Sequence, residues 1–251
     1  MSAASLNTQA SAASGTSRAG PSRRAHLIRH AQASWGSADY DRLSSLGETQ
    51  ARHLGEWLAA DAVTVYKHVV RGDMRRHAQT LDAIAAAFAA AGRELPAARI
   101  DAGWNEFDHV PILAAYAAAH GGDENLRAAQ TGDERAQRAV LAAAVRAWHE
   151  GQLDGAVAET WADFGRRIAS ARERVGCALG SVLIVTSGGA MWRCAQAALD
   201  LDDAGLVKLG MTLRNTGISE FVYGSDRWQM LSWNELPHLA EPALQTLHTH
   251  Y

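Results

Sequence analysis

Residues 181 to 199 read SVLIVTSGGAMWRCAQAAL. The run from Val182 to Thr186 carries β-branched or aliphatic side chains at every position, which predicts a strand buried on both faces. Ser187-Gly188-Gly189 punctuates it as a turn, and Ala190 to Leu199 follows as a helix. Strand, turn and helix form the repeating unit of an α/β fold. Working outward, the same unit recurs upstream.

The short apolar run His26-Leu27-Ile28 predicts a first strand that stops at Arg29 and His30. Beyond a polar loop, Ser45-Leu46-Gly47-Glu48 has the S-x-x-E spacing of a capping box, and Leu54, Trp57 and Leu58 share the helical face that follows. VYKHVV at 65–70 predicts a second strand. The alanine-rich segment after it predicts a helix capped near Gly72 or Asp73 and closed by Gly92. Residues 111–180 read as helices only, with apolar stripes at Ile112, Leu113 and Tyr116, then at Val140, Leu141, Ala144, Val145 and Trp148. A third stripe holds Trp161, Phe164, Ile168 and Val175, started by Thr160 with Asp163 three residues on. ISEFVY and RWQMLSW, flanking Gly224-Ser225-Asp226, predict a hairpin. The expected fold is a three-layer α/β/α sandwich with a mostly parallel central sheet and a helical insertion over about 111–180. One such domain would occupy 25–251.

Residues 1–24 are rich in Ala and Ser without the continuous apolar core of a secretory signal, and are expected to form a disordered tail, an organellar targeting peptide being the alternative. The 251 residues carry 24 basic and 27 acidic side chains, a net charge of -3, so no global field recruits nucleic acid or an anionic membrane. Cys177 and Cys194 lack C-x-x-C spacing, which argues against a disulfide framework or a thiolate zinc site. A cytoplasmic protein is expected. Trp192 and Trp233 suit either a core or a homodimer interface.

Ligands of open α/β sheets bind beyond the carboxyl ends of the strands. Three predicted strand ends carry chemistry there: Arg29 and His30, then Arg75 and Arg76, then Ser187, Gly188 and Gly189. Arginine grips phosphate oxygens in a bidentate fork, and a helix N-terminus adds partial positive charge. Each feature alone also suits a solvated pair or an ordinary turn, whereas two arginines at a helix start oppose the helix dipole. Taken together they suit a phosphate.

The segments LIRHAQAS, DMRRHAQT, WNEFDH and VTSGGA occur in an order and spacing that resembles the histidine phosphatase superfamily, the phosphoglycerate mutase-like proteins. The resemblance runs from about Ala25 to the WNELPHL segment near residue 239. It implies phosphoryl transfer through a phosphohistidine on His30, with no cofactor and no metal. Arg29 and Arg76 would clamp the phosphate of a small-molecule phosphate ester, and Glu106 would act as general acid and base. Gln79 and Thr80 match the pair that follows the family's second arginine.

Three positions depart from the family pattern. Ala31 replaces its glycine, Gly36 stands where mutase-like members carry asparagine, and Ser187 replaces its second histidine. A lost phosphate donor costs about 2.7–4 kcal/mol of transition-state stabilisation when nothing replaces it. Gly188 N–H is expected to face the phosphate, with Gln32 and Ser34 adding polarity. His109 is the candidate substitute for the missing histidine, whereas Arg75 and His77 are expected to face solvent. The terminal His-Thr-His is too short for a metal site on its own. A phosphatase is the expected function; a phosphate-binding protein without turnover and a mutase are the alternatives.

Overall fold

The computed structural model describes residues 23–34, 40–210, 212–224 and 227–250. Six strands form one sheet in the order β3-β2-β4-β1-β5-β6. They are β1 (Arg24–Arg29), β2 (Tyr66–Arg71), β3 (Ala98–Ile100), β4 (Ser181–Thr186), β5 (Ile218–Tyr223) and β6 (Trp228–Glu235). The first four run parallel, and β5 and β6 add an antiparallel edge. The expected mostly parallel sheet and the closing hairpin are therefore present; Ser225 and Asp226 of its turn lie outside the described residues, as do Gly36 and residues 1–22. Arg24, grouped by sequence with the N-terminal tail, is instead the first residue of β1.

Among the described residues eight α-helices accompany the sheet: α1 (Ser45–Ala60), α2 (Arg75–Ala90), α3 (His109–Ala119), α4 (Glu124–Gln130), α5 (Glu134–His149), α6 (Trp161–Gly176), α7 (Gly188–Leu199) and α8 (Asp203–Gly210). β4 lies centrally, and its alternate residues feed two cores. Leu183 and Val185 pack with Leu54 and Leu58 of α1 and Leu81, Ile84 and Phe88 of α2. Val182 and Ile184 join Phe164 and Ile168 of α6 and Met191 and Cys194 of α7. Each such fully buried side chain stabilises the fold by about 1.5–3 kcal/mol. Burial on both faces explains why β4 is so legible as a continuous apolar run.

Between β3 and β4 every regular α or β element is a helix, α3 to α6, apart from a single turn of 3-10 helix at Ala102–Trp104. Trp148 stacks edge-on against Trp161 and lies 4.9 Å from Phe107, tying α5 to α6 and to the loop before α3. Thr160 and Asp163 form the expected capping box at the start of α6. Trp192 and Trp233 are partly buried and pack on the larger core.

Local starts differ from the sequence expectation at three helices. α1 is capped by Ser44, whose hydroxyl accepts from Gly47 N–H at 3.0 Å, one residue before the predicted cap. Ser44 is held there by Gln32, whose side-chain oxygen accepts its hydroxyl proton at 2.8 Å. α2 begins after Met74, with no side-chain cap of its own, rather than at Gly72 or Asp73. Gly92, at φ 68, follows the last residues of α2 as expected. The predicted Ser-Gly-Gly turn is the start of α7 itself: Ser187 is the N-cap and both glycines are helical. Among the described residues no helix is long and apolar enough to cross a membrane.

Candidate active site

The register of β1 and β4 brings the first pieces together. Arg29 pairs with Thr186, and His30 N–H donates to Thr186 O at 2.9 Å. His30 and Ser187 therefore leave the sheet side by side. On the other flank of β4, Gly72 N–H donates to Val185 O at 3.2 Å, which delivers the start of α2 to the same edge.

His30 is 5% exposed. Its Nδ1 lies 2.7 Å from Ala31 O, an atom that only accepts, so Nδ1 carries the proton. Nε2 is left with its lone pair and accepts from Arg76 Nε at 3.1 Å. Burial pushes the His30 pKa well below the usual histidine value, and the positive charges of Arg76 and Arg29 push in the same direction. The ring is thus a neutral, oriented imidazole. Ala31 takes the place of a glycine without strain: its Cβ packs with Leu43 and Ala51, and its N–H donates to Thr80 Oγ1 at 3.1 Å. Thr80 donates in turn to Arg76 O, and Gln79 accepts from Leu43 N–H, so the residues after Arg76 fasten the loop behind His30 to α2.

The His30 carbonyl is held from the opposite side by Asn215 Nδ2 at 3.1 Å and by Thr216 N–H at 3.4 Å. Thr216 has φ 57, an uncommon conformation for a β-branched residue. Its hydroxyl donates to Asn215 O and lies 2.9 Å from His238 Nε2. Local strain of this kind, about 1–3 kcal/mol, persists where surrounding contacts over-determine it.

Arg76 is 3% exposed and is fixed by Asp41, whose Oδ1 accepts from Nη1 at 2.8 Å. The second oxygen of Asp41 accepts from Arg75 N–H at 2.7 Å, so this loop carboxylate caps α2 from outside the helix. It also offsets the repulsion between the helix dipole and the two arginines. Tyr40 lies under the guanidinium at 5.5 Å. Arg29 is held by backbone carbonyls: Nη1 donates to Leu213 O at 2.7 Å and to His250 O at 2.6 Å. The terminal His-Thr-His segment thereby braces the site, since Thr249 also accepts from Gln50 and donates to Asn215 Oδ1.

Glu106 reaches the N-terminus of α7, where both carboxylate oxygens lie 3.1 Å from Gly189 N, and Oε1 also accepts from Phe107 N–H at 3.2 Å. A Cβ on Gly189 would fall 2.2 Å from Glu106 Oε1, so only glycine allows this approach. Gly188 lies between Arg29 and Glu106, its Cβ direction pointing within 3.7 and 3.8 Å of Arg29 Nε and Glu106 Oε2. The loop bearing Glu106 is braced by Arg167 of α6. That guanidinium forks onto Glu159 at 2.7 and 2.9 Å and donates to Asn105 O at 3.0 Å.

The sequence candidates therefore divide. Arg29, His30, Arg76, Glu106, Ser187 and Gly188 gather at one sheet edge. Gln32 is engaged at the α1 cap, and Ser34 N–H pairs with Arg42 O. His109 packs edge-on to Tyr40 at 5.7 Å, its pKa lowered by partial burial. Arg75 is exposed, as expected. His77 is the correction: it is fully buried, with Nε2 2.6 Å from Ser187 Oγ. Sequence alone missed Asp41, Asn215 and Thr216, which act across long separations and belong to no local motif. Among the described residues no group of three His, Cys, Asp or Glu is arranged to hold a metal ion.

The mostly parallel sheet thus places a buried histidine beside two arginines at its strand ends. The model of the histidine phosphatase superfamily (branch 1) matches residues 25–236, and the chain belongs to that family. No curated protein sequence matches significantly. Among solved structures, phosphoserine phosphatase from Entamoeba histolytica, solved with 3-phosphoglyceric acid, is 17% identical with a TM-score of 0.58, covering 86% of this chain and 99% of that one. Phosphoglycerate mutase from Bacillus anthracis is 17% identical at TM-score 0.57, covering 87% and 96%. A mycobacterial glucosyl-3-phosphoglycerate phosphatase, solved with inorganic phosphate, is 22% identical at TM-score 0.52, covering 87% and 100%. At these identities the likeness bears on the fold, while family membership supports a phosphatase-type function.

Proposed function

We propose that the protein hydrolyses a small phosphate monoester through a phosphohistidine on His30, without a metal. The observation that carries this is the assigned imidazole. With Nδ1–H committed to Ala31 O, the Nε2 lone pair is held beside Arg76, where a phosphoryl group would sit. Nε2 attacks phosphorus, the ester P–O bond breaks as the N–P bond forms, and Glu106 gives its proton to the leaving oxygen. Arg29 and Arg76 carry the charge that spreads over the equatorial oxygens. In the second half, Glu106 takes a proton from water, whose oxygen displaces His30 from phosphorus. Phosphate leaves, and both residues return to their starting forms.

Hydrolysis of an aryl phosphate tests this. His30→Ala is expected to lower kcat by at least about a thousandfold, and wild type is expected to yield an acid-labile phosphoenzyme that the variant does not. Undiminished turnover in His30→Ala would overturn the mechanism. Ser187 in place of a histidine motivates a second reading, a phosphate-binding protein without turnover; phosphate affinity without hydrolysis across aryl and alkyl esters would favour it.

A further inference from the structure

His77 is not part of the mechanism above, yet it occupies a made-to-measure space beside it. The residue is fully buried, and its ring centroid lies 5.7 Å from that of His30. Gly72 makes the space: a Cβ there would fall 2.3 Å from His77 Nδ1 and 2.7 Å from Cε1. Nε2 meets Ser187 Oγ at 2.6 Å, whereas Nδ1 has no hydrogen-bond partner among the described residues. A buried orphan N–H is rarer than an orphan acceptor, so the proton belongs on Nε2 and Nδ1 holds the lone pair. Burial and the neighbouring arginines, Arg76 and Arg71, hold the His77 pKa well below the usual value and keep the ring neutral.

That tautomer has a consequence at Ser187. Nε2–H donates to Oγ, so the hydroxyl proton cannot also point at His77. It is free to be directed elsewhere, and Ser187 stands next to His30 in the strand register. We propose that His77 is the positioning residue for Ser187, and that the pair does from α2 and the N-cap of α7 together what the family's second histidine does from position 187 alone. In this arrangement the Ser187 hydroxyl donates to a phosphoryl oxygen, and the His77 imidazole fixes the rotor and polarises it. The inference rests on the site being a phosphate site, as proposed above, but not on turnover.

Two readouts test it: kcat and KM for an aryl phosphate, and the Kd for orthovanadate by calorimetry. Ser187→Ala and His77→Phe are each expected to lower kcat about 10- to 100-fold, within the range for losing an oxyanion donor, with KM changed less than threefold. Each is expected to weaken vanadate binding about tenfold. The double variant should be no worse than the poorer single one, because the two act as a unit. His77→Gln, which can still donate an N–H to Oγ, should recover most of the loss. The double variant His77→Ala with Ser187→His, which moves the imidazole to the N-cap of α7, should also exceed His77→Ala alone.

Full activity and vanadate affinity in His77→Phe would overturn the proposal, as would additive losses or a His77→Gln variant as poor as His77→Phe. If His77→Phe fails to fold, Ser187→Ala against His77→Gln decides the matter by the same measures. A wild type that binds vanadate but forms no phosphoenzyme would sink the hydrolytic mechanism and leave this inference to the binding arm. A wild type that binds no vanadate overturns both.

Discussion

His30 and His77 are neighbours, both buried and both neutral, but they are satisfied differently. His30 has a partner at each nitrogen, Ala31 O on Nδ1 and Arg76 Nε on Nε2. The His77 ring has one hydrogen-bond partner among the described residues, Ser187, and a buried Nδ1 without one, in space that a Cβ at Gly72 would fill. A histidine satisfied on both sides is rigid in ring orientation and tautomer, as a nucleophile requires. One left half-satisfied costs stability, about 1–3 kcal/mol for an unpaired buried polar atom. Replacing the ring by an apolar one of similar shape removes that orphan atom but also the donor to Ser187, so loss of activity beyond any loss of stability exposes its role.

The comparison breaks first at Arg76. Arg76→Met removes the donor to His30 and half of the proposed phosphate clamp, and it leaves Asp41 without its ion-pair partner. A fall in kcat of about 100- to 1,000-fold is expected from the lost charge stabilisation, larger than for any substitution at His77. A loss under tenfold in steady-state assays would mean that Nε2 of His30 does not depend on the arginine beside it.

An intermediate effect concerns pH. Both histidines have folded-state pKa values below the unfolded value of about 6.5. The unfolded chain therefore takes up protons first as pH falls, and their contribution to stability is complete above about 6.5 and declines below it. His238, held at about 3 by burial, adds to the same trend. Each group contributes at most about 1.4 kcal/mol per pH unit. Urea midpoints between pH 7.5 and 5 should fall with acidity, and His77→Phe should flatten the slope by one group's share. An unchanged slope would place a charge on His77 in the folded state.

The smallest effect lies at Ser44. Ser44→Ala removes the α1 cap that Gln32 supports and should lower stability by about 1 kcal/mol, with kcat within about twofold of wild type. A large kcat loss would return Gln32 to the pocket, as its sequence position first suggested.

How much was legible in advance follows from how local each feature is. β4, the α6 capping box and the Arg29-His30, Arg76 and Glu106 set carry short-range patterns. β3 does not, since Ala98, Arg99 and Ile100 are all exposed. Asp41 caps a helix that starts 34 residues later, and no sequence spacing announces that. His77 was misplaced because Arg76 precedes it directly and neighbours on a helix point about 100° apart, so one of two adjacent polar residues ordinarily faces water. Here the first turn of α2 is wedged between strand ends and buries both. Ser187 stood out in the sequence, but the His77 ring that it meets lies on another element.

The brace on Glu106 bears on how this protein can change. The chain leaves the acid's loop at Asp108, makes the helices of the insertion, and returns at Glu159 and Arg167 to grip the backbone of that same loop. The insertion is thus a closed excursion fastened at its base. Its helices can drift in sequence and length while the Glu106 loop keeps its place against the start of α7. What lies on one side of that clasp can vary without moving the strand-end cluster on the other.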